Sequence, residues 1–197
     1  PPNVIVILID DMGWKDLGTT GSTSHATPHL DALAARGAIF DQAYASAPNC
    51  APTRACLMSG QYSPRHGVYT VGDSWGGDAA RRRIVVPENR ETLPGESVTI
   101  AEVLRDAGYA TACIGKWNLG TARDPEHNPT GQGFDEFRHY RRMGFRDGYF
   151  DAPEAQGGRY STDVLFDETI DFVRSRRDGP FFVFLAPDAV HTPLEAP

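Results

Sequence analysis

The sequence predicts an α/β fold in which helices flank a layered, mostly parallel β-sheet. Two runs, residues 4–9 and 181–186, are continuously apolar and rich in β-branched or aromatic side chains. Such runs are typical of strands that are buried on both faces of a parallel sheet. Segments with helical spacing of apolar residues alternate with strand-like segments, which favours a layered sheet. A chain of 197 residues fits one such domain.

Two helices are expected in the first third of the chain. Thr27 is suited to the N-cap, Pro28 to the first helical position and Gly37 to the end of the first helix. Residues 52–59 begin with a proline and predict the second helix. Cys50 therefore lies at the N-terminal end of that helix, where the dipole and free amide groups favour anions and thiolates.

The alternation continues through the rest of the chain. Thr99 and Glu102 form a capping box at the start of a third helix, and a strand over residues 109–114 follows it. A helix over residues 162–176 then precedes the last strand. Two segments rich in glycine, proline and charge are predicted to be long loops of the kind that often carry function: residues 72–96 and 120–158.

Composition excludes several functional classes. With 19 Lys and Arg against 26 Asp and Glu, the net charge of −7 argues against binding to nucleic acid or an anionic membrane. The apolar runs are far shorter than the roughly 20 residues that a membrane span needs. Three cysteines without a CxxC pair suggest neither a disulfide framework nor a zinc site, and we expect Cys56 and Cys113 in the core.

Polar residues follow each of the predicted strands. Asp10 and Asp11 come directly after the first strand, Lys116 follows the second, and His191 lies a few residues beyond the third. Because ligands of open α/β sheets bind outside the carboxyl ends of the strands, we expect these side chains to converge. The two aspartates offer the hard oxygen donors that Ca²⁺ or Mg²⁺ prefers. A helix cap or a solvated turn is the alternative interpretation of this pair.

The segment from Cys50 to Arg54 resembles the Cys-x-Pro-x-Arg signature of the type I sulfatases, which belong to the alkaline phosphatase superfamily. Other blocks similar to this family follow in order along almost the whole chain: PNVIVILIDDMGWKDLG, TPHLDALAARGAIFDQAY, RACLMSGQYSPRHGV, GYATACIGKWNLG, GFDEF and HTPLEAP. The resemblance implies an alkaline-phosphatase-like fold, a bound Ca²⁺ with Mg²⁺ as the alternative, and conversion of Cys50 to formylglycine. It also implies a maturation enzyme that reads Pro52 and Arg54 as part of its recognition tag.

The resemblance further implies hydrolysis of an organic sulfate monoester. Hydrated formylglycine at position 50 attacks sulfur through one hydroxyl, and its second hydroxyl later expels sulfate as the aldehyde re-forms. A metal held by Asp10, Asp11 and the group derived from Cys50 withdraws charge from the nucleophile and from the sulfate oxygens. The expected partners are therefore a small-molecule or glycan sulfate ester and the maturation enzyme.

Four further positions take expected roles from the family. Arg54 steadies the hydrated nucleophile, and Lys116 binds a sulfate oxygen. His191 lies near the leaving oxygen, where it supplies a proton or a hydrogen bond. Asn118 stands where the family usually has histidine, in Gly-Lys-Trp-His-Leu-Gly. Asparagine cannot accept a proton at neutral pH, although it can hydrogen-bond the diol and so contact the substrate site.

Two other functions remain open from the sequence. A phosphonate or phosphate ester hydrolase can share the same tag and metal strand, and a non-catalytic sulfate-binding fragment or pseudoenzyme is suggested by Asn118. The family places its remaining metal ligands in a later segment, so we expect residues 1–197 to be the N-terminal part of a single sulfatase catalytic domain, incomplete at the C-terminus. The family also implies a periplasmic or extracellular location, with the cytoplasm as the alternative.

Overall fold

The computed structural model describes residues 1–72, 79–81, 83–121, 123–138, 159–192 and 194. Its centre is a four-stranded sheet, and its strands are β1 (Val4–Ile7), β2 (Ala110–Gly115), β3 (Glu136–Arg138) and β4 (Phe181–Ala186). The α-helices in the described ranges are α1 (Pro28–Ala34), α2 (Cys50–Ser59), α3 (Ser63–His66), α4 (Ile100–Asp106) and α5 (Ser161–Ser175). Short 3-10 helices lie at Gly18–Thr20 and Ala79–Arg81.

The strands are arranged in the order β1-β4-β2-β3, and every pairing is parallel. Val4 lies opposite Phe182 in the β1–β4 pair, and Ala110 lies opposite Phe181 in the β2–β4 pair. Parallel pairing places the carboxyl ends of β1, β4 and β2 at one edge of the sheet. The predicted parallel α/β sheet flanked by helices is therefore confirmed.

Strand β4 lies at the centre of the hydrophobic core, because other elements pack against both of its faces. Phe182 and Phe184 pack with residues of α2 and α4 on one face, whereas Val183 and Leu185 pack with α5 on the other. All six residues of β4 are buried. The cysteines predicted to lie in the core, Cys56 and Cys113, are buried as expected.

The first strand differs from its prediction. It was expected over residues 4–9 and buried on both faces, but it spans Val4–Ile7, and Ile5 and Ile7 are 46% and 48% exposed. The reason is its position: β1 is an edge strand, and α5 packs against β2 and β4. A run of apolar residues does not show which strand will lie at an edge.

Local signals set the helix boundaries closely. The capping box of α4 is present, since the Glu102 backbone amide donates to Thr99 Oγ1 at 3.1 Å and the Thr99 amide donates to Glu102 Oε2 at 2.8 Å. Helix α2 begins at Cys50, two residues before its predicted start. Strand β3 lies within a segment predicted to be a loop, because three residues are too few to show a period of two. Residues 139–158 of that segment lie outside the described residues.

In the ranges that the structure describes, no helix combines the length and the apolar character needed to cross a bilayer.

Candidate active site

A buried ion cluster lies at the carboxyl edge of the sheet. Arg54 Nη2 donates to Asp10 Oδ1 at 2.6 Å, and Lys116 Nζ donates to Asp10 Oδ2. The arginine is fully buried, and the aspartate and the lysine are each 7% exposed. Residues that are far apart in the sequence thus meet where the strand ends predicted that they would. Two cations share one carboxylate, so the cluster carries a net positive charge.

The two cations decide the ionisation of Asp10. Burial opposes the charged form, but the Arg54 and Lys116 charges and hydrogen bonds outweigh it and hold the pKa of Asp10 below its usual value. Asp10 is therefore a carboxylate at neutral pH. The two oxygens of the ionised Asp10 side chain can therefore accept hydrogen bonds from cationic side chains or bind a metal cation.

Helix α2 places Arg54 beneath the carboxyl edge of the sheet. Arg54 Nη1 donates to the Lys116 carbonyl at 2.6 Å, and its guanidinium lies 5.9 Å from the centre of the Phe184 ring. Arg54 Nε is buried without a hydrogen-bond partner among the described residues. Cys50 precedes Arg54 by four residues, so the two side chains lie on the same face of α2. A buried donor without a partner, about one helical turn from Cys50, suits an oxygen acceptor supplied by a ligand or a modified side chain.

Cys50 is the accessible thiol of the three. It is half-buried at the first residue of α2, whereas Cys56 and Cys113 are buried, and burial raises the pKa of the Cys113 thiol. The N-cap residue Asn49 makes no side-chain cap and donates instead to Thr70 Oγ1 at 3.1 Å. The helix end beside Cys50 is thus not capped by its own N-cap side chain.

Tight backbone geometry fixes Lys116. The preceding residue, Gly115, has φ of +99°, and a Cβ there would lie 2.2 Å from the Ala186 carbonyl oxygen. The Lys116 amide donates to that same oxygen at 2.8 Å. The approach of β2 to β4 therefore requires glycine at position 115.

Asn118 is half-buried with φ of +63°, a left-handed conformation that asparagine tolerates better than most residues.

Asp11 and His191 form a second, more exposed pair. His191 Nε2 lies 3.7 Å from Asp11 Oδ2, and the Asp11 side chain is 61% exposed. His191 Nδ1 lies 2.6 Å from the Thr192 carbonyl, which can only accept, so Nδ1 carries a hydrogen and Nε2 faces Asp11. The structure thus brings all four strand-end residues to one edge, as two pairs.

The donor chemistry of this edge fits a hard divalent cation. Asp10 and Asp11 supply carboxylate oxygens, which Ca²⁺ and Mg²⁺ prefer. The sulfur of unconverted Cys50 is a soft donor and suits neither ion, so position 50 fits the set only with oxygen in place of sulfur. Within the described residues, no three His, Cys, Asp or Glu side chains form a ready-made metal cluster. The metal set of Asp10, Asp11 and Cys50 stays a prediction.

Two residues of this edge were not predicted. Asp188, 4% exposed, lies two residues beyond β4, as Asp10 lies shortly beyond β1. Because ligands of open α/β sheets bind outside the carboxyl ends of the strands, the sequence could have indicated Asp188 as it indicated Asp10 and Lys116. Phe184, which lies under Arg54, gave no sequence signal beyond its place in an apolar strand, because its partner comes from another part of the chain.

Comparison with known proteins places this geometry in a family. The Sulfatase family model matches residues 2–197. Human N-acetylgalactosamine-6-sulfatase is 34% identical over 221 residues, covering 100% of this chain and 41% of that protein. Human arylsulfatase A is 41% identical over 137 residues, covering 70% of this chain and 25% of that protein.

The fold of the chain is also similar to those of solved structures. Ps i-CgsB in complex with k-i-k-neocarrahexaose has a TM-score of 0.78 and 32% identity, and the match covers 100% of this chain and 47% of that one. BT4656 in complex with its substrate D-glucosamine-2-N,6-O-disulfate has a TM-score of 0.73 and 27% identity, covering 97% of this chain and 35% of that one. The chain thus spans less than half the length of these relatives. It belongs to the sulfatase family.

Proposed function

We propose that the protein to which this chain belongs hydrolyses an organic sulfate monoester, with formylglycine derived from Cys50 as its nucleophile. The observation that carries the proposal is the buried pairing of Arg54 and Lys116 around Asp10, with Cys50 four residues before Arg54 at the first position of the same helix. A net positive, poorly hydrated cluster of this kind is suited to stabilise the charge that develops during transfer of a sulfate group.

Three side chains of this chain have separate roles in the proposed reaction. Arg54 offers its unused Nε–H to an oxygen at position 50, and Lys116 offers its ammonium to a sulfate oxygen. His191, with hydrogen on Nδ1 when neutral, uses Nε2 to donate or accept at the leaving oxygen.

Two groups complete this proposal. Asp10 and Asp11 would hold a divalent cation, Ca²⁺ in preference to Mg²⁺ by family resemblance, and it would draw electron density from the reacting oxygens. Formylglycine would supply a hydroxyl nucleophile whose partner hydroxyl allows sulfate to leave. A formylglycine-generating or equivalent maturation enzyme is the expected partner, and we retain the periplasmic or extracellular location as part of the proposal.

A sulfated saccharide is the substrate class that we favour. The relatives that match the whole chain are named for an N-acetylgalactosamine 6-sulfate, and two matching structures contain a neocarrahexaose and a glucosamine disulfate. Their names describe those proteins, and they motivate the choice of substrates for this one.

Substitution of Cys50 tests the proposal in the full-length protein. Cys50→Ala should abolish hydrolysis of aryl sulfate and sulfated monosaccharides, because alanine cannot be converted to an aldehyde. Cys56→Ala is the matched control, since it removes a thiol from the same helix but from the core. Unchanged hydrolysis in Cys50→Ala would refute the proposal, and faster turnover of a phosphonate ester than of any sulfate ester would favour the alternative hydrolase.

A non-catalytic sulfate-binding protein is the second candidate, and Asn118 favours it. An asparagine at this half-buried position cannot serve as the base that the family is thought to use. If the protein is an enzyme slowed by this asparagine, Asn118→His should raise the rate at which sulfate is released. Binding of sulfate esters without hydrolysis in both variants would instead establish the binding function.

A further inference from the structure

The Asp10–Lys116 ion pair joins a residue proposed to hold the metal with a residue proposed to bind sulfate, so this inference rests on the proposed function. One Asp10 oxygen accepts from Arg54 at 2.6 Å, and the other accepts from Lys116. Both members of the pair are more than nine-tenths buried. While the pair persists, the ammonium is held away from a substrate and both carboxylate oxygens already have a partner.

Of the two cations, Lys116 is the one able to leave. Arg54 is fixed by a second hydrogen bond, from Nη1 to the Lys116 carbonyl at 2.6 Å, and by its position over the Phe184 ring. The Lys116 ammonium is held by Asp10 at the end of a flexible four-carbon stem. The backbone of Lys116 is fixed by its bond to Ala186, so rotation of the stem moves the charge and leaves the strand in place.

A divalent cation and the ammonium are poor co-occupants of one carboxylate oxygen. Calcium binds carboxylate oxygen at about 2.3–2.6 Å, and an ammonium donates at about 2.8 Å. Sharing the oxygen would leave the two positive centres within roughly 5 Å of one another in a site with little water to screen them. A cation held by Asp10 would therefore work against the ion pair of Asp10 with Lys116.

We propose that Lys116 moves between two partners: its ammonium stays on Asp10 until a divalent cation binds there, and then turns to the sulfate group of the substrate. Cation binding releases the group that binds sulfate, and sulfate binding withdraws the group that competes with the cation. The two ligands consequently strengthen each other's binding, and this coupling is reciprocal.

Lysine labelling tests this exchange because residues 1–197 contain two lysines, Lys15 and Lys116. Lys15 is exposed and donates to the Thr20 carbonyl at 3.2 Å, which makes it an internal control. The full-length protein is treated with an acetylating reagent, and each lysine is followed by peptide mass spectrometry. Calcium should raise Lys116 labelling at least threefold, added inorganic sulfate should lower it again, and Lys15 labelling should stay constant. Asp10→Asn should raise Lys116 labelling without calcium.

The outcomes separate the exchange from the proposed function, because labelling does not require turnover. Calcium binding seen by calorimetry with unchanged Lys116 labelling would overturn the exchange and leave the metal role intact. Unchanged labelling in Asp10→Asn would overturn it too, because the ion pair would then not be what protects the amine. Absence of binding of both calcium and magnesium would refute both. If Asp10→Asn does not fold, the comparison of the wild-type protein with and without calcium decides the matter.

Discussion

Replacing Asp10 with asparagine removes the carboxylate that two buried cations share. Arg54 is fully buried and Lys116 is 7% exposed, so water cannot replace the lost partner. Removing one member of a buried ion pair costs about 3–5 kcal/mol because a buried charge is left uncompensated. We therefore expect Asp10→Asn to lower the free energy of unfolding of the full-length protein by about 3–5 kcal/mol, measured by urea unfolding without added metal.

Two further variants isolate the cause. Asp11→Asn changes a neighbouring carboxylate whose side chain is 61% exposed, and it should lower the free energy of unfolding by less than about 1 kcal/mol. Lys116→Met in the Asp10→Asn background removes an unpaired charge and should recover part of the loss in urea unfolding. If Asp10→Asn costs no more than Asp11→Asn, or if Lys116→Met recovers nothing, the account of the buried cluster is wrong.

Three other predictions concern local features. Gly115→Ala should destabilise the protein by more than about 2 kcal/mol in urea unfolding, since its Cβ would lie 2.2 Å from a backbone oxygen at φ of +99°, and an equal stability would contradict the geometry. Thr99→Ala should cost about 2 kcal/mol, because it removes half of the capping box and the buried hydrogen bond from Thr99 Oγ1 to the Gln132 carbonyl, and Thr99→Ser should restore most of it. Burial lowers the pKa of His66, so the unfolded chain binds a proton more readily and stability should fall as pH drops below about 6.5. His66→Gln should flatten this slope in unfolding measurements between pH 7 and 5, and an unchanged slope would assign it to other groups.

The sequence predicted best those elements that depend on local chemistry. The uninterrupted apolar run of β4 indicated its boundaries, and the Thr99–Glu102 pair indicated the start of α4, because both signals lie in residues that are adjacent in the sequence. The exposed face of β1 could not be predicted. Whether Ile5 and Ile7 are covered depends on which element packs against an edge strand.

For the candidate site, the sequence predicted which residues lie together but not which side chains contact one another. Parallel topology was sufficient to bring Asp10, Lys116 and His191 to one edge of the sheet, since the carboxyl ends of parallel strands lie together. It did not give the pairings: the lysine expected to face sulfate lies on Asp10, and Arg54 lies over Phe184. Such contacts depend on the side-chain conformations and burial of residues far apart in the sequence.

Peptide mass spectrometry of residue 50, in the full-length protein purified from its natural source, tests the central claim most directly. The account predicts that the peptide containing Cys50 carries an aldehyde in place of the thiol and that the same preparation hydrolyses a sulfate ester. Peptides containing Cys56 and Cys113 should retain their thiols, because both are buried core residues outside the Cys-x-Pro-x-Arg signature. A preparation that hydrolyses sulfate esters while Cys50 remains entirely a thiol would contradict the account.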